Sequence, residues 1–292
     1  MLTGKTVLLT GGSGSFGQAF TAYALAHGIG RLRILSRDEL KQAEMAERFP
    51  DDRLRFLVGD VRDRDRVDLA MRGCDVVIHA AAMKRIEKCE YDPLEAIRTN
   101  VEGTTNVVRA AIHHRPRLVF LSTDKACNPL THYGVSKAAA EKIVLHSNAY
   151  LGGTALFSVV RYGNVANSRG SVIPLWQRLA REGKQLPVTD VRSTRFWITV
   201  EQAILFVVNT VAMPGGRLYV PAFMPSYKIV DLALAIQGAS GPPFQITGPR
   251  GVEKVHEDLV AAHEIVVGMT GPYRSDMNTR WLTVDELRKA LP

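Results

Sequence analysis

A strand that runs directly into a glycine-rich loop and then a helix leaves a chain few folds to choose from. Lys5–Thr10 is apolar and β-branched, and it reads as a strand. Gly11-Gly-Ser-Gly-Ser-Phe-Gly17 follows, and the periodicity beyond it predicts a helix from Phe16 to about His27. Glycines 11, 14 and 17 form G-x-x-G-x-x-G. Glycine permits the tight turn and lets backbone N–H groups approach a pyrophosphate at a helix N-terminus. A glycine triplet in a bare turn says little; between a strand and a helix it marks a dinucleotide site.

Strands and helices then alternate. Arg31–Ser36 is the second strand, and its end carries Ser36-Arg37-Asp38 about 20 residues past the loop, where an adenosine ribose lies. An acid there accepts from the 2′-OH of NAD, whereas an arginine pairs with the 2′-phosphate of NADP. Ser36 and Arg37 come first, which favours NADP; Asp38 keeps NAD open, or caps a helix over Glu39–Arg48. The third strand, Arg53–Val58, ends in Gly59-Asp60-Val61, with Asp60 placed for an adenine amino group or for a turn. A helix over Arg64–Arg72 and a strand over Asp75–His79 come next. Ala80-Ala81-Ala82 lets backbone pack close to a dinucleotide, and Met83 and Lys84 are placed at a substrate mouth. A single helix is predicted over Pro93–His114, with Asn100 as a brace or a surface residue. The alternation predicts an α/β fold with a Rossmann-type doubly wound parallel sheet. Residues 1–165 form the dinucleotide-binding domain. Regularity falls after Ala166, so residues 166–292 are expected to form mainly a smaller C-terminal substrate-binding lobe, with some later segments returning to the first domain.

The stretch Leu118–Lys137 concentrates the chemistry. Leu118–Leu121 reads as a buried strand, and Ser122, Thr123, Asp124 and Lys125 follow at its carboxyl end, where ligands bind in open α/β sheets. Tyr133 and Lys137 are four apart on a predicted helix and share a face. A cation beside a phenol lowers its pKa from ~10 and makes a base for a hydroxyl proton. A bare Tyr-x-x-x-Lys is more often a solvated helix face, and Asp124-Lys125 is equally readable as a local ion pair. A sixth strand, Ala155–Val160, ends in Arg161-Tyr-Gly-Asn-Val165. Ser168–Pro174 leads into a helix ending near Glu182. Thr189, Asp190, Thr194 and Arg195 fall on a loop-rich stretch before predicted helices over Val200–Val211 and Tyr227–Gln237.

The formal net charge of +8 is scattered rather than gathered into tracts. That suits an anionic ligand such as a nucleotide sugar better than nucleic acid. Cys74, Cys89 and Cys127 make no CxxC and no metal spacing, which fits a reducing compartment. No leader is visible and no apolar run approaches the ~18–20 residues of a membrane helix, so a soluble, cytoplasmic chain is expected.

Together these residues resemble the extended short-chain dehydrogenase/reductase family. Within it they resemble the soluble, inverting UDP-N-acetylglucosamine 4,6-dehydratases of pseudaminic acid biosynthesis, of the polysaccharide biosynthesis protein family. The resemblance covers about Gly4 to Glu257 and rests on TGGSGSFG (10–17), SRDELKQAEM (36–45), GDVRD (59–63), AAAMK (80–84) and YDPLEAIRTNVEGT (91–104). LSTDKACNP (121–129), YGVSK (133–137), RYGNV (161–165), SRGSVIP (168–174) and TRFWIT (194–199) carry it further. Related 4-epimerases have no Asp–Lys pair at STDK. The family's R-P-G-E-K-L-H-E reads Arg250-Gly-Val-Glu-Lys-Val-His-Glu257 here, with Val252 in place of a glycine.

The resemblance implies that Gly11, Gly14, Gly17, Ser36, Arg37, Asp60, Tyr133 and Lys137 hold NADP. Ser13, Ser15, Phe16, Val61, Ala80, Ala81, Lys84 and Asn100 complete the expected cofactor set. Lys84, Asn164, Ser171, Val172, Arg195 and Glu257 would hold a UDP-sugar, in a homo-oligomer. The implied chemistry makes Tyr133 the base at the C4 hydroxyl, with Thr123 on the reacting oxygen. Lys125, its pKa depressed by burial and a nearby cation, would take the C5 proton, and protonated Asp124 would release the C6 hydroxyl. A nucleotide-sugar 4-epimerase or reductase on the same fold is the alternative, and a non-catalytic cofactor-binding regulator is the alternative of another class.

Overall fold

The computed structural model describes residues 1–168, 170–238, 244–248, 253–262, 264, 266 and 271–291. Val252, which stands where the family has a glycine, lies outside the described residues.

The first half alternates strand and helix as its hydrophobic periods dictate. β1 (Thr6–Thr10), α1 (Ser15–Ala26), β2 (Arg31–Ser36), α2 (Glu39–Arg48), β3 (Leu54–Val58), α3 (Arg64–Met71) and β4 (Val76–His79) follow in order. Asp38 caps α2 by accepting from Lys41 N at 3.0 Å, and Asp63 caps α3 through Arg66 N. Then come α4 (Ile86–Tyr91), α5 (Pro93–Ile97), α6 (Gly103–His114), β5 (Arg117–Leu121), α7 (His132–His146) and β6 (Phe157–Val160). Asp92 caps α5 and Thr131 caps α7.

The single helix predicted over Pro93–His114 is interrupted by a π-helical turn, Arg98–Glu102. The wide turn carries buried Thr99 and Asn100, and Asn100 is turned inward to brace neighbouring segments. Its Oδ1 accepts from Met83 N at 2.8 Å, and its Nδ2 donates to Met83 O and to Ser136 Oγ, each at 2.9 Å.

In the second half β7 (Asn164–Val165), α8 (Val172–Arg181), β8 (Pro187–Val188), β9 (Thr194–Ile198), α9 (Val200–Ala212) and β10 (Leu218–Tyr219) precede β11 (Ser226–Lys228) and α10 (Ile229–Gln237). β12 (Gln245–Ile246), β13 (Asp258–Val260), β14 (Tyr273–Arg274) and α11 (Val284–Ala290) complete the described elements. Thr194–Arg195 therefore opens a strand where a loop was expected, because TRFWI is buried along its whole length and needs ladder partners for its backbone. Tyr227 likewise lies on β11, and the helix expected from Tyr227 begins at Ile229.

Seven strands form a parallel sheet in the order β10-β6-β5-β4-β1-β2-β3. The order reverses between β1 and β4, the crevice where doubly wound sheets bind dinucleotides. Two apolar clusters sandwich the sheet, centred on Val7, Leu9, Ile34 and Phe20 on one face and Leu8, Val77, Phe120 and Phe157 on the other. Each fully buried aliphatic or phenyl group there contributes roughly 1.5–3 kcal/mol. α9 and β10 pack back onto this sheet. A third cluster, built on Ile173, Trp176, Trp197, Tyr227 and Leu232, is the core of a smaller lobe holding the β11-β9-β7 sheet.

Candidate active site

The glycine loop is shaped by backbone contacts that exclude side chains. A Cβ on Gly17 would stand 2.1 Å from Gly12 O, and one on Gly11, at φ +69°, would stand 2.8 Å from the Ala81 backbone. The loop after β4 therefore closes on the loop after β1. Gly14 is the N-cap of α1 and makes no side-chain cap, and its outward side meets only Gly11 O. This is a cradle with helix N–H groups behind it, which fits a pyrophosphate. Ser36 is buried, with its Oγ accepting from Gln42 Nε2 at 2.8 Å, while Arg37 is exposed beside Asp60 at 3.5 Å. Asp60 also accepts from the backbone and guanidinium of Arg62; burial works to raise its pKa, but Arg62 and Arg37 together bring it below the ordinary value. Asp38, the alternative ribose acid, is held as the α2 cap.

β5 delivers the next group of side chains. Thr123 is the N-cap of a single 3-10 turn, Asp124–Ala126, which turns Asp124 and Lys125 toward one another. Asp124 is fully buried. Its Oδ1 accepts from Thr123 Oγ1 at 2.9 Å and from Lys125 Nζ at 3.0 Å, while its Oδ2 is buried without a protein partner. Lys125 Nζ also stands 3.2 Å from Glu257 Oε1, and Arg195 Nε lies 3.6 Å from that same oxygen. Burial raises the Asp124 pKa. Burial also raises Glu257, but Lys125 and Arg195 outweigh it and leave Glu257 lowered.

Two electrostatic expectations are corrected here. Lys125 is raised, not depressed: burial disfavours its ammonium, yet the Asp124 and Glu257 carboxylates outweigh burial and the Arg195 charge. Tyr133 is pushed up to about 12 by burial, with Lys125 and the Thr123 side chain pulling the other way. Lys137 does not supply that pull. Its Nζ donates to Leu121 O at 2.6 Å and lies 3.8 Å from the Phe120 ring centroid, and burial brings its pKa down to about 7.

A cavity of about 760 Å³ opens between the sheet and the smaller lobe, within the size range of small-molecule sites. Lys125, Asn164, Ser171, Val172, Arg195 and Glu257 all line it, as the sequence proposed. Arg85, Glu87 and Glu90 line its mouth, where the sequence had proposed Lys84. Asn164 Oδ1, Ser171 Oγ and Glu257 Oε2 are buried with no protein partner, so polar atoms converge on this space.

The sequence did not show the network behind this wall. Arg161, 1 % exposed at the end of β6, donates to both oxygens of Glu141 (3.0 and 2.6 Å), both of Glu264 (2.8 and 3.0 Å) and Leu259 O (2.8 Å). It ties the Tyr133 helix to the segment that carries Glu257. The available sign was a lone glutamate four residues after Lys137, which reads from sequence as a surface ion pair. Glu253 pairs with Arg195 at 3.0 Å, and Lys254 Nζ donates to Cys127 O at 2.5 Å.

A doubly wound sheet with a phosphate-cradling loop, and a Thr-Asp-Lys turn facing Tyr-x-x-x-Lys, define a short-chain dehydrogenase/reductase-type protein. The chain belongs to the polysaccharide biosynthesis protein family, which it matches over residues 7–273. It is 45% identical over 269 residues to an inverting UDP-N-acetylglucosamine 4,6-dehydratase of Campylobacter jejuni subsp. jejuni serotype O:23/36, covering 90% of this chain and 80% of the relative. It is 39% identical over 293 residues to a protein named UDP-glucose 4-epimerase in Rickettsia akari, covering 96% and 85%. The crystal structure of Pen from Bacillus thuringiensis superposes with a TM-score of 0.90 at 32% identity, covering 99% of this chain and 98% of that one.

Proposed function

We propose that this chain is a UDP-N-acetylglucosamine 4,6-dehydratase that inverts C5 and yields a UDP-4-keto-6-deoxyhexosamine. The observation that carries the reading is the Asp124–Lys125 pair, 3.0 Å apart, whose lysine lines the cavity. A 4-epimerase has no use for an acid at C6; an elimination needs an acid and a base together. The raised Lys125 pKa is reconciled with a basic role by the same contact. One proton moved from Lys125 Nζ to Asp124 Oδ1 produces the neutral amine and the carboxylic acid in a single step, and burial favours that uncharged pair.

The glycine loop, Ser36, Arg37 and Asp60 are proposed to hold the cofactor, with Arg37 favouring NADP over NAD. A bound nicotinamide dinucleotide supplies a hydride acceptor for C4 and a hydride donor for C6, so no external reductant is consumed. Tyr133 is proposed as the base at the C4 hydroxyl; burial works to keep its phenol protonated, up to about 12, and the nearby Lys125 charge pulls the other way. The C4 ketone acidifies C5, and Lys125 takes that proton while Asp124 gives its own to the departing C6 hydroxyl. Lys125 then returns a proton to C5. Asn164, Ser171 and Arg195 are proposed to grip the sugar nucleotide in the cavity. A homo-oligomer in the cytoplasm rests on the family resemblance. No helix among the described residues is long and apolar enough to cross a membrane.

Incubation with UDP-N-acetylglucosamine in deuterated water, without added reductant, tests the reading by mass and proton NMR. Loss of one water, a new 6-methyl signal and deuterium at C5 are expected, with the C5 couplings reporting inversion. A C4 epimer with no water lost overturns it in favour of the epimerase.

A further inference from the structure

His79 is a buried titratable group that the proposed chemistry does not use. It closes β4, is fully buried, and stands opposite Thr10 at the end of β1. Its ring lies tilted against Phe120 of β5, with 5.4 Å between centroids. Both ring nitrogens are hydrogen-bonded, Nδ1 to Thr10 Oγ1 at 2.6 Å and Nε2 to Thr104 Oγ1 at 3.0 Å. Burial, together with the Lys137 charge, brings its pKa down to about 3, so the ring is neutral and one nitrogen carries the hydrogen.

The bonds beyond the two threonines decide which nitrogen that is. Thr104 Oγ1 stands 2.6 Å from Asn100 O, which has no hydrogen to give, so the threonine donates there. The Thr104 lone pairs are left for His79 Nε2, which must therefore carry the hydrogen. Nδ1 is then bare and accepts from Thr10 Oγ1, whose oxygen in turn accepts from Ala81 N at 3.2 Å. Donation runs in one direction throughout, from Ala81 N through Thr10, His79 and Thr104 to Asn100 O.

Both ends of this chain reach the same loop. Ala80 N makes the last backbone bond to β1, donating to Thr10 O at 3.2 Å. One residue on, β1 has turned away at Gly11, and the Thr10 side chain supplies the partner for Ala81 N. This is where Ala81 stands against Gly11 with no room for a Cβ. At the other end, the Asn100 side chain holds both the N–H and the carbonyl of Met83. Residues 81–83 are thus clamped from inside the protein, on the wall of the crevice that faces the glycine loop.

We propose that His79 is a positioning residue for the dinucleotide: as the Nε2–H tautomer it links Thr10 to Thr104 and so sets the Ala81–Met83 backbone against the glycine loop. It acts through Ala81 and Met83, and therefore on the parts that NAD and NADP share. The role rests on the reading of the glycine loop as a nicotinamide dinucleotide site.

Thr104 is the residue to change, because it is buried on α6 and reaches Ala81 through His79 and Thr10. Thr104→Val removes the hydroxyl and Thr104→Ser keeps it. NADPH and NADH binding is measured by fluorescence titration, Tm by thermal unfolding, and the ring nitrogens by 15N NMR of histidine-labelled protein, with His79→Phe identifying the signals. Native protein and T104S should show His79 protonated on Nε2 and bare on Nδ1, and should bind alike. T104V should shift the ring nitrogen signals and weaken both dinucleotides by the same factor, about tenfold, the scale of one hydrogen bond. Thr10→Val cuts the chain at its other end and should match it. A native ring protonated on Nδ1 overturns the proposal, and this is read whether or not the variants fold. Binding unchanged in T104V and Thr10→Val, even with a lower Tm, makes His79 a structural residue alone and overturns it too, as does a loss that T104S fails to rescue. A native protein that binds neither dinucleotide overturns the cofactor reading itself, and the positioning role falls with it.

Discussion

Replacing Arg161 with methionine should cost more stability than almost any other single change in this chain. An arginine has five N–H donors, and all five are used here: two on Glu141, two on Glu264 and one on Leu259 O. The Arg161 side chain is 2 % exposed, Glu141 4 % and Glu264 19 %. Methionine fills much of the volume but leaves two carboxylates facing each other with no cation between them. Breaking a buried pair from one side costs about 3–5 kcal/mol, because the abandoned charge loses its compensation. That corresponds to a fall in Tm on the order of 10 °C. Urea denaturation followed by circular dichroism and by tryptophan fluorescence measures it. Arg161→Lys should fall between native and R161M, since three donors replace five and the planar fork is lost. The triple variant R161M/E141L/E264M should recover most of the loss, because it removes the stranded charges as well. A loss below about 1 kcal/mol in R161M, or a triple variant as damaged as the single one, would refute the argument that uncompensated charge is the cause.

The same network sets an acid limit. Burial works to raise Glu264, but Arg161 and the Ala261 N–H overcome it and lower the carboxyl from its ordinary 4.5 to about 2. A folded pKa below the unfolded one gives stability that is full above about 4.5 and lost as the pH falls toward about 2. The urea midpoint should therefore drop between about pH 5 and pH 2, and Glu264→Gln should flatten that drop. Gly17→Ala places a methyl group 2.1 Å from Gly12 O and should weaken NADPH binding at least about tenfold by fluorescence titration while far-UV circular dichroism stays native; undiminished binding would show that the loop is not the phosphate cradle. Arg37→Ala should weaken NADPH binding roughly tenfold and change NADH binding less, the worth of one charge-assisted contact to a phosphate. Equal losses for the two would remove Arg37 as the 2′-phosphate ligand.

The sequence alone determined the architecture and where chemistry occurs. The hydrophobic periods of β1 to β6, the Asp38 cap and the glycine spacing are local signals. Backbone geometry answers to local signals wherever packing agrees with them. The line of polar residues after β5 was legible for the same reason, since a parallel strand presents the residues beyond its carboxyl end to the ligand crevice. Tertiary structure decided everything that depends on which distant groups share a buried space. Lys125 is raised because Glu257, 132 residues away in the chain, faces it together with Asp124. Lys137 turns to Leu121 O rather than to the phenol four residues before it. TRFWI is a strand because β7 and β11 flank it, whereas its own sequence, buried on both faces, carries no alternating period. Arg161 lies inside because two glutamates from separate segments meet it there. Charges in a low-dielectric interior interact over distances that sequence spacing does not encode. The fold was therefore readable from the chain in order, while the proton chemistry became readable only once the chain had closed on itself.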